Sequence, residues 1–153
     1  MHIDLQLAAD NADLPNESDF NHWATVALVH LGEDTAPISL CIRIVEEEES
    51  SALNNSYRNK QGPTNVLSFR ADTPDFIVQQ TKEKQLGDIV LCAPLVGQEA
   101  KQQRKQATAH WAHLTVHGVL HLLDHDHENP EEAEEMEGLE IAILQQLGFA
   151  NPY

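Results

Sequence analysis

Near the start of the chain Ile3, Leu5 and Leu7 alternate with His2, Asp4 and Gln6, and this period of two predicts a short strand. From Pro15, Asn16 and Ser18 the period lengthens. Phe20, Trp23, Ala24, Ala27, Leu28 and Leu31 follow the i, i+3, i+4, i+7, i+8, i+11 stripe of a helix packed on one face, and Gly32 is placed to stop it. After Pro37 the alternation returns, with Ile38, Leu40, Ile42 and Ile44 on one side of a second strand. Glu46 to Glu49 read as the first turn of a helix, where the positive end of the dipole favours carboxylates. That helix is expected to end near Tyr57, before a polar turn from Asn59 to Pro63.

Residues 65–69 (Asn65 to Phe69) predict a third strand, whereas Asp72 to Gln85 are polar and unpatterned and predict a mobile loop. Gly87 to Ala93 form an apolar run, the signature of a strand covered on both faces. Pro94 suits the first turn of a helix continuing through Lys105, and Thr108 is a candidate N-cap for the next one, which carries Trp111 and Leu114. In the last helix Asn129 is the cap, Pro130 sits at N1, and Glu132 stands at N3 for a capping box. Its buried stripe is Met136, Leu139, Ile143, Leu144 and Leu147, closed by Gly148. The order β-α-β-α-β-β-α-α-α predicts an α+β fold: a small mixed four-stranded sheet with about five helices, residues 1–153 forming one domain.

Length and charge narrow the picture. The 153 residues suit a single core, and the regular apolar periods exclude disorder throughout. With 25 acidic residues against 9 Lys or Arg, the formal charge is −16, and no Lys or Arg follows Lys105. Such a chain repels polyanions as a whole, so nucleic-acid chemistry would need a local basic surface. The candidates are Arg58, Lys60, Arg70, Lys101, Arg104 and Lys105. Cys41 and Cys92 belong to no C-x-x-C pair and read as small buried hydrophobes in a reducing compartment. No apolar run approaches the roughly 18 residues of a membrane span. The opening residues carry no secretory pattern, so a cytoplasmic location with no membrane partner is expected.

Six of the nine histidines lie between His110 and His127. His117, His121 and His127 stand in the spacing H-x3-H-x5-H. On a helix, positions i and i+4 share a face, so His117 and His121 can present ring nitrogens to one metal ion. A chain turning back after Leu123 brings His127 round as the third ligand, giving a zincin-like site on a helix. Three protein ligands leave a fourth tetrahedral position open, as in catalytic zinc sites. His113 and His125 are spare donors, and His110 and His113 suit packing or hydrogen bonds behind the ligands. Metzincin proteases share this spacing but place a general-base Glu where this chain has Gly118, and a turn Gly where it has Asp124. Gly118 either leaves room for a bulky substrate or permits close helix packing.

The run His117-Gly118-x-Leu120-His121-Leu122, followed by Asp126-His127, resembles the signature of the YbeY endoribonucleases. Further similar segments are Leu53-Asn54 through Tyr57-Arg58-x-Lys60, Pro63 to Phe69, Leu86 to Val90, Ala109 to His113, and Glu132 to Glu137. Two positions depart from the family pattern. Its Gly-Tyr within the signature is Asp124-His125 here, and its Pro after Ser-Phe is Arg70. Asp tolerates a left-handed turn, His125 would compete for the metal or line the cleft, and Arg70 would add a phosphate contact or be simply exposed.

The resemblance implies a single-strand-specific, zinc-dependent endoribonuclease of 16S ribosomal RNA 3′-end maturation and ribosome quality control. Its partners would be single-stranded RNA, ribosomal RNA and the small ribosomal subunit, with no DNA. By matching position, His117, His121 and His127 would bind one Zn2+ per chain and Arg58 would be the catalytic arginine. A guanidinium suits transition-state charge on a phosphodiester; otherwise Arg58 would pair with the glutamates at 46–49. Lys60 and Arg70 are the expected contacts to the RNA backbone. The attacking group would be metal-activated water or the RNA 2′-hydroxyl. Two other readings fit the histidines: a metal-dependent peptidase-like hydrolase, or a non-catalytic ribosome-associated zinc protein.

Overall fold

The computed structural model describes residues 1–10 and 13–153. Its elements are β1 (His2–Ala8), α1 (Glu17–His30), β2 (Ile38–Val45), α2 (Glu47–Arg58), β3 (Val66–Arg70), α3 (Asp75–Thr81), β4 (Lys84–Cys92), α4 (Ala93–Gln102), α5 (Ala107–Leu122) and α6 (Pro130–Gln146). The sheet order is β1-β2-β4-β3, with β1, β2 and β4 parallel and β3 antiparallel along β4. This is the expected mixed four-stranded α+β arrangement, with six helices among the described residues rather than about five.

The two central strands are covered on both sides, as the apolar run in β4 anticipated. Ile38, Leu40, Ile42 and Ile44 of β2 with Ile89 and Leu91 of β4 join the main core, together with Phe20 and Trp23 of α1, Trp111 and Leu120 of α5, and Met136 and Ile143 of α6. On the opposite face Val45, Leu67, Val90 and Cys92 form a smaller cluster beside Leu53 of α2. Both cysteines are free and buried. At the outer edge, β1 buries Ile3 but leaves Leu7 exposed.

Three helix starts show how local chemistry chose the boundaries. Asn16 caps α1 by accepting from the Asp19 amide at 2.8 Å, and Asp19 accepts in return from the Asn16 amide. Asn129 caps α6 through the Glu132 amide at 2.8 Å. The return bond of a capping box is absent there among the described residues, and a Glu132 carboxylate oxygen is buried without a partner. The cap of α5 is Gln106 rather than Thr108, with no side-chain cap bond. The chain is already helical at Ala107, and alanine is the strongest helix former.

Two further boundaries differ from expectation. Instead of a loop over 72–85 there is α3, followed by a β4 that begins at Lys84. No residue of α3 is buried, and it stops where Lys82 turns left-handed at φ 60°. A helix that buries no face leaves no apolar period in the sequence, so none could be seen. Lys84 and Gln85 pair with Ile38 and Ser39, and the Ser39 hydroxyl donates to Gln85 Oε1 at 2.6 Å, a polar contact that leaves no apolar run to read. Likewise β3 runs one residue further than expected, to Arg70, and α4 ends at Gln102 rather than Lys105.

The close approach of α5 to the sheet is set at Gly118. A Cβ there would lie 2.9 Å from Ile89 Cδ1 and 3.0 Å from its Cγ2, so the glycine permits close helix packing. Ile89 is fully buried and cannot swing away freely. We expect Gly118→Ala to lower stability by about 1 kcal/mol net, overpacking of about 1–3 kcal/mol outweighing the roughly 1 kcal/mol helix-propensity gain. Thermal unfolding should show a Tm about 2–4 °C lower; an unchanged or raised Tm would contradict this packing.

Candidate metal centre

Helix α5 carries His117 and His121 one turn apart, with their Nε2 atoms 3.1 Å from each other. The helix then ends in a double-bonded left-handed turn. The Asp124 amide donates to His121 O at 3.2 Å and the His125 amide to Leu120 O at 3.0 Å, with Asp124 at φ 70°. This C-terminal motif usually takes glycine, and Asp is among the few residues that tolerate it. The turn sends the chain back so that His127 faces the other two rings, at centroid distances of 5.7 Å from His117 and 5.2 Å from His121. One ligand nitrogen from each of the three lies within 4.8 Å of the others. His125 stands apart from this trio, beside Asp124 and Arg70 in a neighbouring hollow.

The donor set fits a divalent cation. Tetrahedral zinc with nitrogen bonds of about 2.0–2.1 Å separates its ligand nitrogens by about 3.3 Å, close to the His117–His121 spacing. The ring orientation is held from behind by Glu140 of α6. This carboxylate is 1% exposed and accepts from His117 Nδ1 at 3.1 Å, from His113 Nε2, and from the Tyr153 hydroxyl at 3.0 Å. An ionised carboxylate only accepts, so the proton of neutral His117 sits on Nδ1 and the Nε2 lone pair is left for the metal. Burial alone would raise the Glu140 pKa, but the hydrogen bonds from His113 and His117 outweigh it and hold the group at about 2. His110 is tied differently, to Glu99 of α4 at 2.8 Å.

Glu140 is the site residue that sequence reasoning missed. Its signal was present as a carboxylate within the apolar stripe of the last helix, four residues after Met136. His113, by contrast, takes the supporting position expected of it.

The three histidines open onto a cleft of about 850 Å³ that is also lined by Tyr57, Arg58, Lys60, Phe69, Arg70 and Asp126. Arg58 ends α2, and Asn59 at φ 56° breaks the helix directly after it. Two buried polar residues of α2 then staple the following loop. Ser50 Oγ donates to Thr64 O at 2.8 Å, and Asn54 Nδ2 donates to Gly62 O at 2.9 Å. The edge strand β3 leans on α5 as well, Ser68 Oγ donating to Gly118 O at 3.4 Å.

The cations of the rim differ in their commitments. Arg43, not Arg58, takes the glutamate run, pairing with Glu49 at 2.6 Å. Arg58 and Lys60 are exposed, and their side chains make no ion pair or hydrogen bond among the described residues. Arg70 is bound on two sides, to Asp72 at 3.3 Å and to Asp124. The two departures from the family pattern, Arg70 and Asp124, therefore contact each other across 54 residues of sequence. Lys101, Arg104 and Lys105 lie outside the cleft, and Lys105 Nζ donates to Pro152 O at 2.6 Å.

Two measurements test this geometry. Glu140→Gln removes the charge that orients His117, and zinc affinity should fall about 10–100-fold in a chelator competition while the circular dichroism spectrum is retained. In the metal-free chain, burial and the neighbouring His117 and His127 lower the His121 pKa from 6.5 to about 4. The unfolded chain therefore takes up a proton near pH 6.5 that the folded chain refuses until about pH 4, so this contribution to stability is lost as pH falls through that window. The Tm difference between chelator-stripped parent and His121→Asn should change between pH 7.5 and pH 5; a constant difference would contradict the assignment.

Residues 6–148 match the family described as endoribonuclease YbeY. Endoribonuclease YbeY proteins of the Coxiella burnetii strains Dugway 5J108-111 and RSA 331 / Henzerling II are each 50% identical over 151 residues, covering 99% of this chain and 97% of theirs. The solution structure of TM1509 from Thermotoga maritima shares the fold at 19% identity, with a TM-score of 0.57 and coverage of 98% of this chain and 97% of that one. The match runs through both the histidine helix and the turn that follows α2, and the chain belongs to the YbeY endoribonuclease family.

Proposed function

We propose that this chain is a zinc-dependent, single-strand-specific endoribonuclease of the cytoplasm. Its residues 1–153 act as one catalytic domain, working in 16S ribosomal RNA 3′-end maturation and ribosome quality control on the small subunit. The observation that carries the reading is the convergence of His117, His121 and His127 at the floor of a cleft rimmed by the unpaired Arg58 and Lys60. Family membership supplies the reaction class, since the relatives are named endoribonucleases.

A divalent cation held by the three imidazoles supplies a Lewis acid for a phosphoryl oxygen and a lower pKa for nearby water. The remaining work falls to side chains of this protein. Glu140 keeps His117 in the tautomer that leaves Nε2 free. Arg58 brings a planar, permanently charged fork to the phosphate whose charge grows in the transition state, and its lack of a competing carboxylate leaves all its donors available. Lys60 contacts the adjoining backbone as a point charge. Arg70 shares its guanidinium with Asp72 and Asp124, so its backbone contact is the weaker of the three.

Peptide hydrolysis lacks support at one position. The residue after the first histidine would have to be the general base, yet Gly118 has its Cβ direction blocked by Ile89, so a Glu has no room there.

Cleavage of unstructured RNA should be abolished by a chelator and restored by added zinc, with duplex RNA and a peptide library left intact. His121→Ala, if folded, should lose both metal and activity; cleavage at the parental rate would refute the reading. Arg58→Ala should retain stoichiometric zinc while kcat falls about 10²–10³-fold, and Arg70→Ala should cost less. Equal loss of zinc and turnover in Arg58→Ala would reduce that residue to a structural role.

A further inference from the structure

The cleft contains one feature that phosphate chemistry does not use. Among the described residues the exposed large hydrophobics are Leu7, Val29, Tyr57, Phe76, Ile77 and Tyr153. Of these, only Tyr57 lines the cleft that holds the three histidines. It is 68% exposed, although it sits in the last turn of α2 immediately before Arg58. Phe69 of β3 meets it edge-on, with ring centroids 5.0 Å apart and planes at 68°. Phe69 is half-buried against the smaller core cluster, so it forms a fixed support. The Tyr57 hydroxyl has no hydrogen-bond partner among the described residues.

We infer that Tyr57, braced by Phe69, is a stacking platform for one unpaired nucleobase of the RNA whose phosphates lie along Arg58 and Lys60. This rests on the nuclease reading above and deepens it to the form of the substrate. An oriented ring with a face in solvent, next to two unpaired cations, matches a nucleotide in both its parts, base and phosphate. The chain's net charge of −16 opposes a polyanion at long range, so a contact independent of charge has particular value here. Only a strand with unstacked bases can offer a base face to the ring, and a duplex keeps its faces covered. Selection for single strands therefore comes from Tyr57, while the cations attract either form.

The test uses the full chain. With zinc bound, Tyr57→Ala should raise KM for unstructured RNA about 5- to 150-fold, the range of one base–aromatic stack, with kcat changed far less. Tyr57→Phe and Tyr57→Trp should restore parental KM, which loss of a merely structural residue would not allow. Separately, metal-stripped parent should quench 2-aminopurine placed along a short single strand at one or two adjacent positions. Tyr57→Ala should not, and annealing the complement should abolish the signal. Parental KM and quenching in a folded Tyr57→Ala would overturn the platform and leave the nuclease reading standing. Absence of RNA cleavage by the zinc-loaded parent would instead remove the nuclease reading, while quenching decides the platform by itself.

Discussion

A buried carboxylate on α6 facing two imidazoles on α5 is the interaction on which the site depends. Placing an ion at Glu140, in a stripe otherwise made of Met136, Ile143 and Leu144, costs desolvation that only well-placed donors can offset. Three donors converge there: His113, His117 and the Tyr153 hydroxyl. The same contact that satisfies the ion joins α6 to α5 and fixes which nitrogen of His117 faces the cleft. Packing and the orientation of His117 thus share one group. A neutral replacement would disturb His117 before it disturbed the fold.

Around that centre the fold distributes positive charge unevenly. The chain is acidic overall, but Glu49 of α2 is paired with Arg43, while Asp72 and Asp124 neutralise Arg70. Exposed pairs of this kind contribute roughly 0–1 kcal/mol to stability. Their effect on the rim is larger than their effect on the fold, because Arg58 and Lys60 remain its two uncommitted cations. The Arg70–Asp124 pair also links the edge strand to the turn that returns His127. A left-handed aspartate in place of glycine is thereby given a partner.

Much of this was legible in the amino-acid order. The stripes of α1 and α6 and the alternation of β1 and β2 each announced an element, because each has a face to bury. The spacing of His117, His121 and His127 announced a converging trio that could hold a metal ion, because a helix turn and a reversal have set dimensions. Helix α3 was not legible, since it buries nothing, and Thr108 misled because Ala107 begins the helix before it. Ser50 and Asn54 looked like ordinary polar residues until the loop they staple was in place.

Local period and spacing therefore determined which segments with a face to bury form helices and strands, that three imidazoles converge, and to which family the chain belongs. Tertiary structure alone decided that Glu140 is the partner of His117, 23 residues away, and that Arg70 answers Asp124. It also decided that Tyr57 and Phe69 meet beside the histidines. The physical reason is that a segment's own pattern encodes how much of it is buried, whereas the identity of what it is buried against arises only when distant segments pack.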